Sequence, residues 1–95
     1  MPDEATGPVA AEITRRLRHA LAPTRLALRD DSDQHAGHAG HDGSGESHFS
    51  LVIESPAFAG LSRVQRQRRI YEVLGELMTE RVHALQIRAS AVGEA

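Results

Sequence analysis

Histidine is the residue type in this chain with the clearest capacity for metal chemistry. His35, His38 and His41 are spaced H-x2-H-x2-H within a segment rich in Gly, Asp and Ser. Neutral imidazoles on such a segment can converge on a soft or borderline metal ion. The favoured alternative is a hydrophilic insertion that binds no ligand, because no helix holds the three side chains at a fixed spacing. We therefore expect the segment to bind metal only weakly when the protein is alone.

The absence of cysteine limits what any metal or nucleophilic site could be. The 95-residue chain has six His and no Cys, so it forms no disulfide and offers no thiolate as nucleophile or metal ligand. Any metal chemistry must use His, carboxylates or the thiols of a partner. No GxSxG, HExxH or Walker-type glycine loop occurs in the sequence, and the carboxylates crowd a polar loop where burial cannot tune their pKa. We expect that the protein is not an enzyme.

His83 lies at the start of a predicted strand that spans 82–89. Alternation places His83 on the same face as Leu85 and Ile87. An imidazole at the first positions of a strand can reach solvent at the edge of a sheet. The commoner outcome for such a His is partial burial with a hydrogen bond, so the strand pattern leaves both roles open.

His48 has a similar place at the start of the preceding strand. It faces away from its neighbour Phe49. An acidic neighbour such as Glu46 or Asp30 could pair with it, and we favour that role over metal ligation.

An arginine cluster occupies residues 63–69, R-V-Q-R-Q-R-R, with no acidic residue inside it. On a helix that begins at Arg63, the side chains of Arg63, Arg66 and Arg69 form a stripe. Such a stripe could contact phosphate or the acidic face of a partner, and the alternative is a solvated helix face. The formal net charge of −2 argues against a protein that is basic over its whole surface.

The length and composition indicate one small domain. A chain of 95 residues supports a single core of modest size. The N-terminus lacks the basic and apolar regions of a signal peptide, and no stretch approaches the roughly 18 apolar residues of a transmembrane helix. We expect a cytoplasmic protein with no membrane contact. It would comprise a flexible tail at 1–7 and a domain at 8–92 that contains a flexible His/Gly/Asp loop at 31–45.

Hydrophobic periodicity predicts two helices and three strands. Ile13, Leu17 and Leu21 recur at every fourth position between Pro8 and Pro23, which is typical of an amphipathic helix. The later elements follow from alternating or helical apolar spacing. The predicted elements are a helix at 8–21, strands at 24–30 and 46–54, a helix from 62 to about 78, and a strand at 82–89.

The second predicted helix begins at a capping-box pattern. Ser62 and Gln65 have the required spacing of three residues. Gly75 inside the helix is expected to weaken it by about 1 kcal/mol and to permit close packing on the sheet. The predicted buried stripe consists of Ile70, Leu74 and Leu77, with Tyr71 and Val73 beside them.

The order of elements predicts the fold class. The first two strands can pair antiparallel through the loop, and the helix between the second and third strands favours a parallel pair. The predicted fold is therefore α+β, a three-stranded mixed sheet with helices on one face.

Three motifs in a fixed order give the chain a family resemblance. They are the pair His48-Phe49, the pattern F-x-G-L-S-x-V-Q-R-Q-R-x-I-Y at Phe58–Tyr71, and V-H-A-L at Val82–Leu85. Together they resemble the signature of the BolA family over roughly residues 9–90. The resemblance implies a KH-like fold of class II, whose order helix-strand-strand-helix-strand agrees with the predicted elements.

The resemblance also implies a function in iron-sulfur or iron regulation. The V-H-A-L histidine, His83, resembles the position that ligates a [2Fe-2S] cluster shared with a monothiol glutaredoxin and glutathione. The second ligand in such proteins comes from a His or Cys in the loop after the first strand. His35 corresponds to it most naturally, with His38 and His41 as alternatives. The implied protein is a monomer when alone, holds no cofactor tightly, and partners a glutaredoxin.

A DNA-binding transcriptional regulator is a second function that the resemblance permits. Its contacts would come from Arg63, Arg66 and Arg69 on the Arg-rich helix. The GxxG loop with which KH domains clamp RNA is absent, since the turn before this helix has the single Gly60. RNA binding by the KH route is therefore not expected, whereas a duplex-DNA contact stays open.

Overall fold

The computed structural model describes residues 7–31 and 48–94. It has the predicted order helix-strand-strand-helix-strand, with a short 3₁₀ helix after the second strand and one short additional α-helix before the last strand. β1 begins one residue and β3 two residues later than predicted, and the predicted start of β2 at 46 lies outside the described residues. The elements are α1 at Pro8–Leu21, β1 at Arg25–Asp30, β2 at His48–Glu54, a 3₁₀ helix at Pro56–Phe58, α2 at Arg63–Leu74, α3 at Leu77–Glu80 and β3 at Ala84–Ser90.

The three described strands form one mixed sheet in the order β1-β2-β3. β1 and β2 are antiparallel, with Leu28 opposite Leu51, whereas β2 and β3 are parallel, with Leu51 opposite Ile87. The parallel pair needs a crossover connection, which α2 and α3 supply. The predicted mixed topology is confirmed.

The core lies between the helices and one face of the sheet. On β2, Phe49, Leu51 and Ile53 are each at most 1% exposed, whereas Val52 between them is 39% exposed. Because successive residues of a strand point to opposite faces, the helices cover one face and leave the other open. This confirms the predicted α+β arrangement. The helices bury Val9, Ile13, Leu17 and Leu21 from α1, Ile70 and Leu74 from α2, and Leu77 from α3.

α1 has the predicted bounds at both ends. Pro8 lies in the first turn, where its missing N–H costs no helical hydrogen bond. Ala22 adopts a left-handed conformation with a φ of 44° and donates its N–H to the Arg18 carbonyl. Pro23 then prevents continuation of the helix.

α2 begins with the predicted capping box. The Ser62 hydroxyl accepts a hydrogen bond from the Gln65 backbone N–H at 3.1 Å, and the Gln65 side chain accepts one from the Ser62 N–H at 2.8 Å. Neither donor has a carbonyl partner within the first turn of the helix. The two side chains therefore satisfy backbone groups that would otherwise need water.

We expect Ser62→Ala to lower the free energy of unfolding by about 1 kcal/mol, because the Gln65 N–H loses its acceptor. Urea denaturation of the purified protein measures the change. Ser62→Asp retains an acceptor at the cap and should recover most of the loss. An equal loss in both variants would show that the hydroxyl does not act as a cap.

The end of α2 differs from the prediction. The sequence pattern predicts one helix to about Met78, but α2 ends at Leu74 and Gly75 has a φ of 53°. Glycine enters this region without steric cost, so it ends the helix instead of lying within it. Arg16 of α1 donates to the Leu74 carbonyl at 2.8 Å and to Glu76 at 2.7 Å. The prediction that Gly75 packs closely on the sheet is also wrong, since the atom nearest to a Cβ placed there is Nη1 of Arg16.

The buried stripe of α2 is narrower than predicted. Ile70 and Leu74 are fully buried, as predicted, and Val73 is half-buried. Tyr71 is 42% exposed, because it lies about 100° around the helix from Ile70. The prediction that Tyr71 belongs to the buried stripe is therefore wrong.

Candidate functional site

The ends of all three strands lie close together at one end of the sheet. β1 ends there and both β2 and β3 begin there, because β1 is antiparallel and β3 parallel to β2. Asp31 follows β1 and donates its backbone N–H to the His48 carbonyl at 2.7 Å. The segment 32–47, which contains most of the predicted loop, is therefore flanked by two residues at this end of the sheet, Asp31 and His48.

His83 immediately precedes β3 at the same end of the sheet and is exposed. The prediction that it begins the apolar face of the strand is wrong, because β3 begins at Ala84 and the buried side chain of the turn is Val82, which is 3% exposed. Val82 donates its N–H to the Leu77 carbonyl at 2.9 Å. This bond holds the turn against the core and leaves the neighbouring imidazole at the surface.

His48 lies beside His83, a contact that the sequence pattern does not predict. The ring centroids are 6.0 Å apart and the ring planes meet at 82°. The parallel register, with His48 opposite Ala84, produces this contact. At this distance and angle the two rings pack edge to face. Parallel pairing of two strands, one that begins at a His and one that directly follows a His, is the signal that could have revealed the contact.

The loop histidines His35, His38 and His41 lie outside the described residues, as does Glu46, one of the two acids predicted to pair with His48. Their roles stay predictions. Within residues 7–31 and 48–94, no group of three His, Cys, Asp or Glu side chains could hold a metal ion.

Arg66 is held inside the domain. Its Nε donates to the Leu61 carbonyl at 3.0 Å, and its Nη1 donates to the Ala89 carbonyl at 3.1 Å. Two further bonds of 2.7 Å reach both carboxylate oxygens of Glu94, and the side chain is 12% exposed. The prediction that Arg66 forms a surface stripe with Arg63 and Arg69 is therefore wrong, because the side-chain carboxylate of Glu94 binds this guanidinium.

The other two arginines of the predicted stripe remain at the surface. Arg63 is exposed at the first position of α2, and Arg69 is exposed with its Nη1 3.7 Å from Glu72. Arg68, between them on the helix, is exposed as well. A binding role for Arg63 and Arg69 stays a prediction.

The contact with Arg66 lowers the pKa of Glu94 from 4.5 to about 2. The Ala91 N–H also donates to this carboxylate, at 3.1 Å. A carboxyl whose pKa is depressed by folding contributes stability at pH values above its ordinary pKa, and this contribution is lost as the pH falls through the folded pKa. The pair should therefore stabilise the protein at neutral pH and cease to do so in acid.

We expect Glu94→Gln to be less stable than the wild type near neutral pH and to lose less stability between about pH 5 and pH 2. Urea denaturation across this range measures both effects. Some acid sensitivity will remain, because Arg15 and Arg16 also lower the pKa of Glu12 to about 2. Glu80→Gln, at an exposed residue of α3, is the control. If the free energy of unfolding of Glu94→Gln equalled that of the wild type at every pH, the result would contradict a stabilising role for the Arg66–Glu94 pair.

The fold is an α+β domain of KH-like order whose last strand follows an exposed histidine. The chain belongs to the BolA-like protein family, whose sequence model matches residues 17–94. Mouse BolA-like protein 1 is 44% identical over 85 residues, which are 90% of this chain and 59% of that protein. The solved BolA domain of SufE1 from Arabidopsis thaliana is 41% identical, with a TM-score of 0.84 over 96% of this chain and 100% of that one. The resemblance inferred from the motifs is confirmed.

This chain spans part of the longer relatives. It covers 59% of the mouse protein. It covers 25% of SufE-like protein 1 of Arabidopsis thaliana, with 43% identity over 94 residues and 95% of this chain matched. A domain of this kind therefore also occurs within larger proteins. None of the helices in the described residues is long and apolar enough to cross a membrane.

Proposed function

We propose that this chain is a BolA-like interaction module that binds a monothiol glutaredoxin and co-ligates, or helps to deliver, a [2Fe-2S] cluster. The observation that carries the proposal is the exposed His83, which lies at the same end of the sheet as Asp31 and His48, the residues that flank segment 32–47. A partner can reach this imidazole without displacing any part of the core. The module would act by binding and not by catalysis.

The donor set of the chain suits a shared cluster. A [2Fe-2S] cluster needs four ligands, and a chain without Cys offers imidazoles instead of thiolates. His83 and one of His35, His38 and His41 would supply two nitrogens, while a glutaredoxin cysteine and glutathione would supply the sulfurs. Imidazole in place of thiolate raises the reduction potential and makes ligation sensitive to protonation.

Co-expression with a monothiol glutaredoxin tests this function. We expect the purified complex to show the visible absorption of a [2Fe-2S] cluster and the chain purified alone to be a colourless monomer. Substitution of the glutaredoxin active-site Cys by Ser is the control and should remove the colour. Failure of the two proteins to associate when iron and glutathione are supplied would contradict the proposal.

A DNA-binding transcriptional regulator is the second candidate, favoured by the exposed Arg63, Arg68 and Arg69 on α2. Phosphate contacts would make the affinity fall steeply with salt, with a log-log slope that decreases by about one for each arginine removed. Fluorescence anisotropy with a labelled duplex at several salt concentrations measures this slope. His83→Ala should leave such binding unchanged, and absence of binding at low salt would exclude the regulator.

A further inference from the structure

A groove of about 1000 Å³ runs along the free edge of β3. The first turns of α2 form one wall, and the uncovered face of β2 and β3 forms the other. Leu61, Leu85 and Ile87 contribute apolar surface, and all three are half-buried. No His lines the groove among the described residues, so the groove is distinct from the end of the sheet where His83 lies.

The backbone of β3 faces this groove without a strand partner. Among the described strands, β3 pairs with β2 alone. The Ser90 carbonyl accepts the Ser55 N–H on the β2 side at 3.0 Å, whereas the Ala89 carbonyl accepts an α2 side chain on the opposite side. Backbone groups alternate between the two edges of a strand. The N–H and C=O groups of Leu85 and Ile87 therefore point into the groove.

The groove is also basic. Its described lining includes four arginines and no Asp or Glu. Arg29 and Arg66 are each paired with a carboxylate outside the lining. Arg63 and Arg88 are exposed and form no ion pair within residues 7–31 and 48–94. These two guanidiniums give the groove an uncompensated positive charge.

We propose that this groove takes an extended acidic segment of a partner protein, which adds to β3 as a fourth strand. The backbone of the segment would pair with the free groups of Leu85 and Ile87. Its apolar side chains would pack on Leu61 on the helix side. Its carboxylates would meet Arg88 on the open face and Arg63 at the start of α2. Neither a cluster nor His83 is needed for this interaction.

An acidic peptide fits the groove better than two other occupants. A nucleic acid would leave the backbone groups of β3 unpaired, and no aromatic side chain of the described residues lines the groove for base stacking. A second copy of the chain would place the same basic groove against itself. Arg88 is the one charged residue of β3, so the paired edges would repel each other.

A soluble probe tests the groove in the full chain. An acetylated and amidated heptapeptide of alternating Glu and Val, titrated to millimolar concentration, should shift the ¹⁵N–¹H signals of Leu85 and Ile87. Charge reversal in Arg63→Glu/Arg88→Glu should weaken binding about tenfold or more. Arg68→Glu, at an exposed α2 residue outside the groove, should change the Kd by less than about twofold. The same peptide with Lys in place of Glu should not bind.

Backbone pairing is tested separately by N-methylation, since the N–H groups of alternate residues in an extended peptide point to opposite edges. Methylation of either the Glu or the Val amides should abolish binding, and the other pattern should preserve it. Equal binding by both methylated peptides, or by the Lys peptide, would overturn the proposal. So would dimerisation that protects the Leu85 and Ile87 amides, or shifts of these amides by a DNA duplex when the peptide causes none.

Discussion

Leu74→Ala is expected to lower the free energy of unfolding by about 2–5 kcal/mol, the range for truncation of a buried Leu. Leu74 is fully buried near the end of α2 and belongs to a single core that includes Ile13 of α1 and Leu51 of β2. Truncation removes apolar surface from this core and leaves a cavity that closely packed neighbours fill only in part.

Urea denaturation measures the change, provided that the dependence on denaturant is the same in both proteins. Val64→Ala is the matched control on the same helix, since Val64 is 61% exposed and its truncation should cost no more than about 0.5 kcal/mol. If Leu74→Ala were as mild as the control, α2 would not pack this side chain into the core.

His83→Ala is expected to preserve the fold and glutaredoxin association but to alter the shared cluster. The side chain is exposed and precedes the strand, so its loss should change stability by no more than about 0.5 kcal/mol. Docking depends on the whole interface and not on one imidazole. If His83 is a ligand, the visible spectrum should change and cluster loss should accelerate about tenfold or more. His83→Cys should retain a cluster of lower reduction potential, because thiolate donates more charge.

His19→Ala, at an exposed position of α1, is the control for these variants. An unaltered spectrum in a well-folded His83→Ala complex would remove the ligand assignment and leave the Arg-rich helix as the stronger functional candidate. Loss of stability in both His83 variants, with an unchanged spectrum, would give the imidazole a structural role.

The second ligand can be identified by the same measurement. We expect one of His35→Ala, His38→Ala and His41→Ala to repeat the effect of His83→Ala. His48→Ala belongs in the series because its ring lies 6.0 Å from that of His83. An effect confined to His48→Ala would assign the second nitrogen to β2 and not to the loop.

Several elements could be predicted from the sequence because their signals are local. Pro8 and Pro23 bracket a run of apolar residues at every fourth position, and α1 has the predicted bounds. Ser62 and Gln65 are three residues apart, and both bonds of the capping box form. Each signal involves residues within a few positions of each other, so no knowledge of the tertiary structure is needed.

Gly75 shows where local patterns are insufficient. A Gly within a helical pattern is compatible with a weakened interior or with a helix end. Arg16 donates to the Leu74 carbonyl at the helix end from 58 residues away. Because that contact joins two helices, the sequence pattern around Gly75 contains no trace of it.

The sequence by itself determined which groups are available for function: no thiol, an imidazole next to the third strand, and an Arg-rich helix. The tertiary structure alone decided which of them meet. Parallel register places His48 beside His83, and Glu94 engages Arg66 from 28 residues away and removes it from the predicted surface stripe. Periodicity reflects interactions between near neighbours, whereas strand register and distant side-chain pairs depend on how the whole core packs.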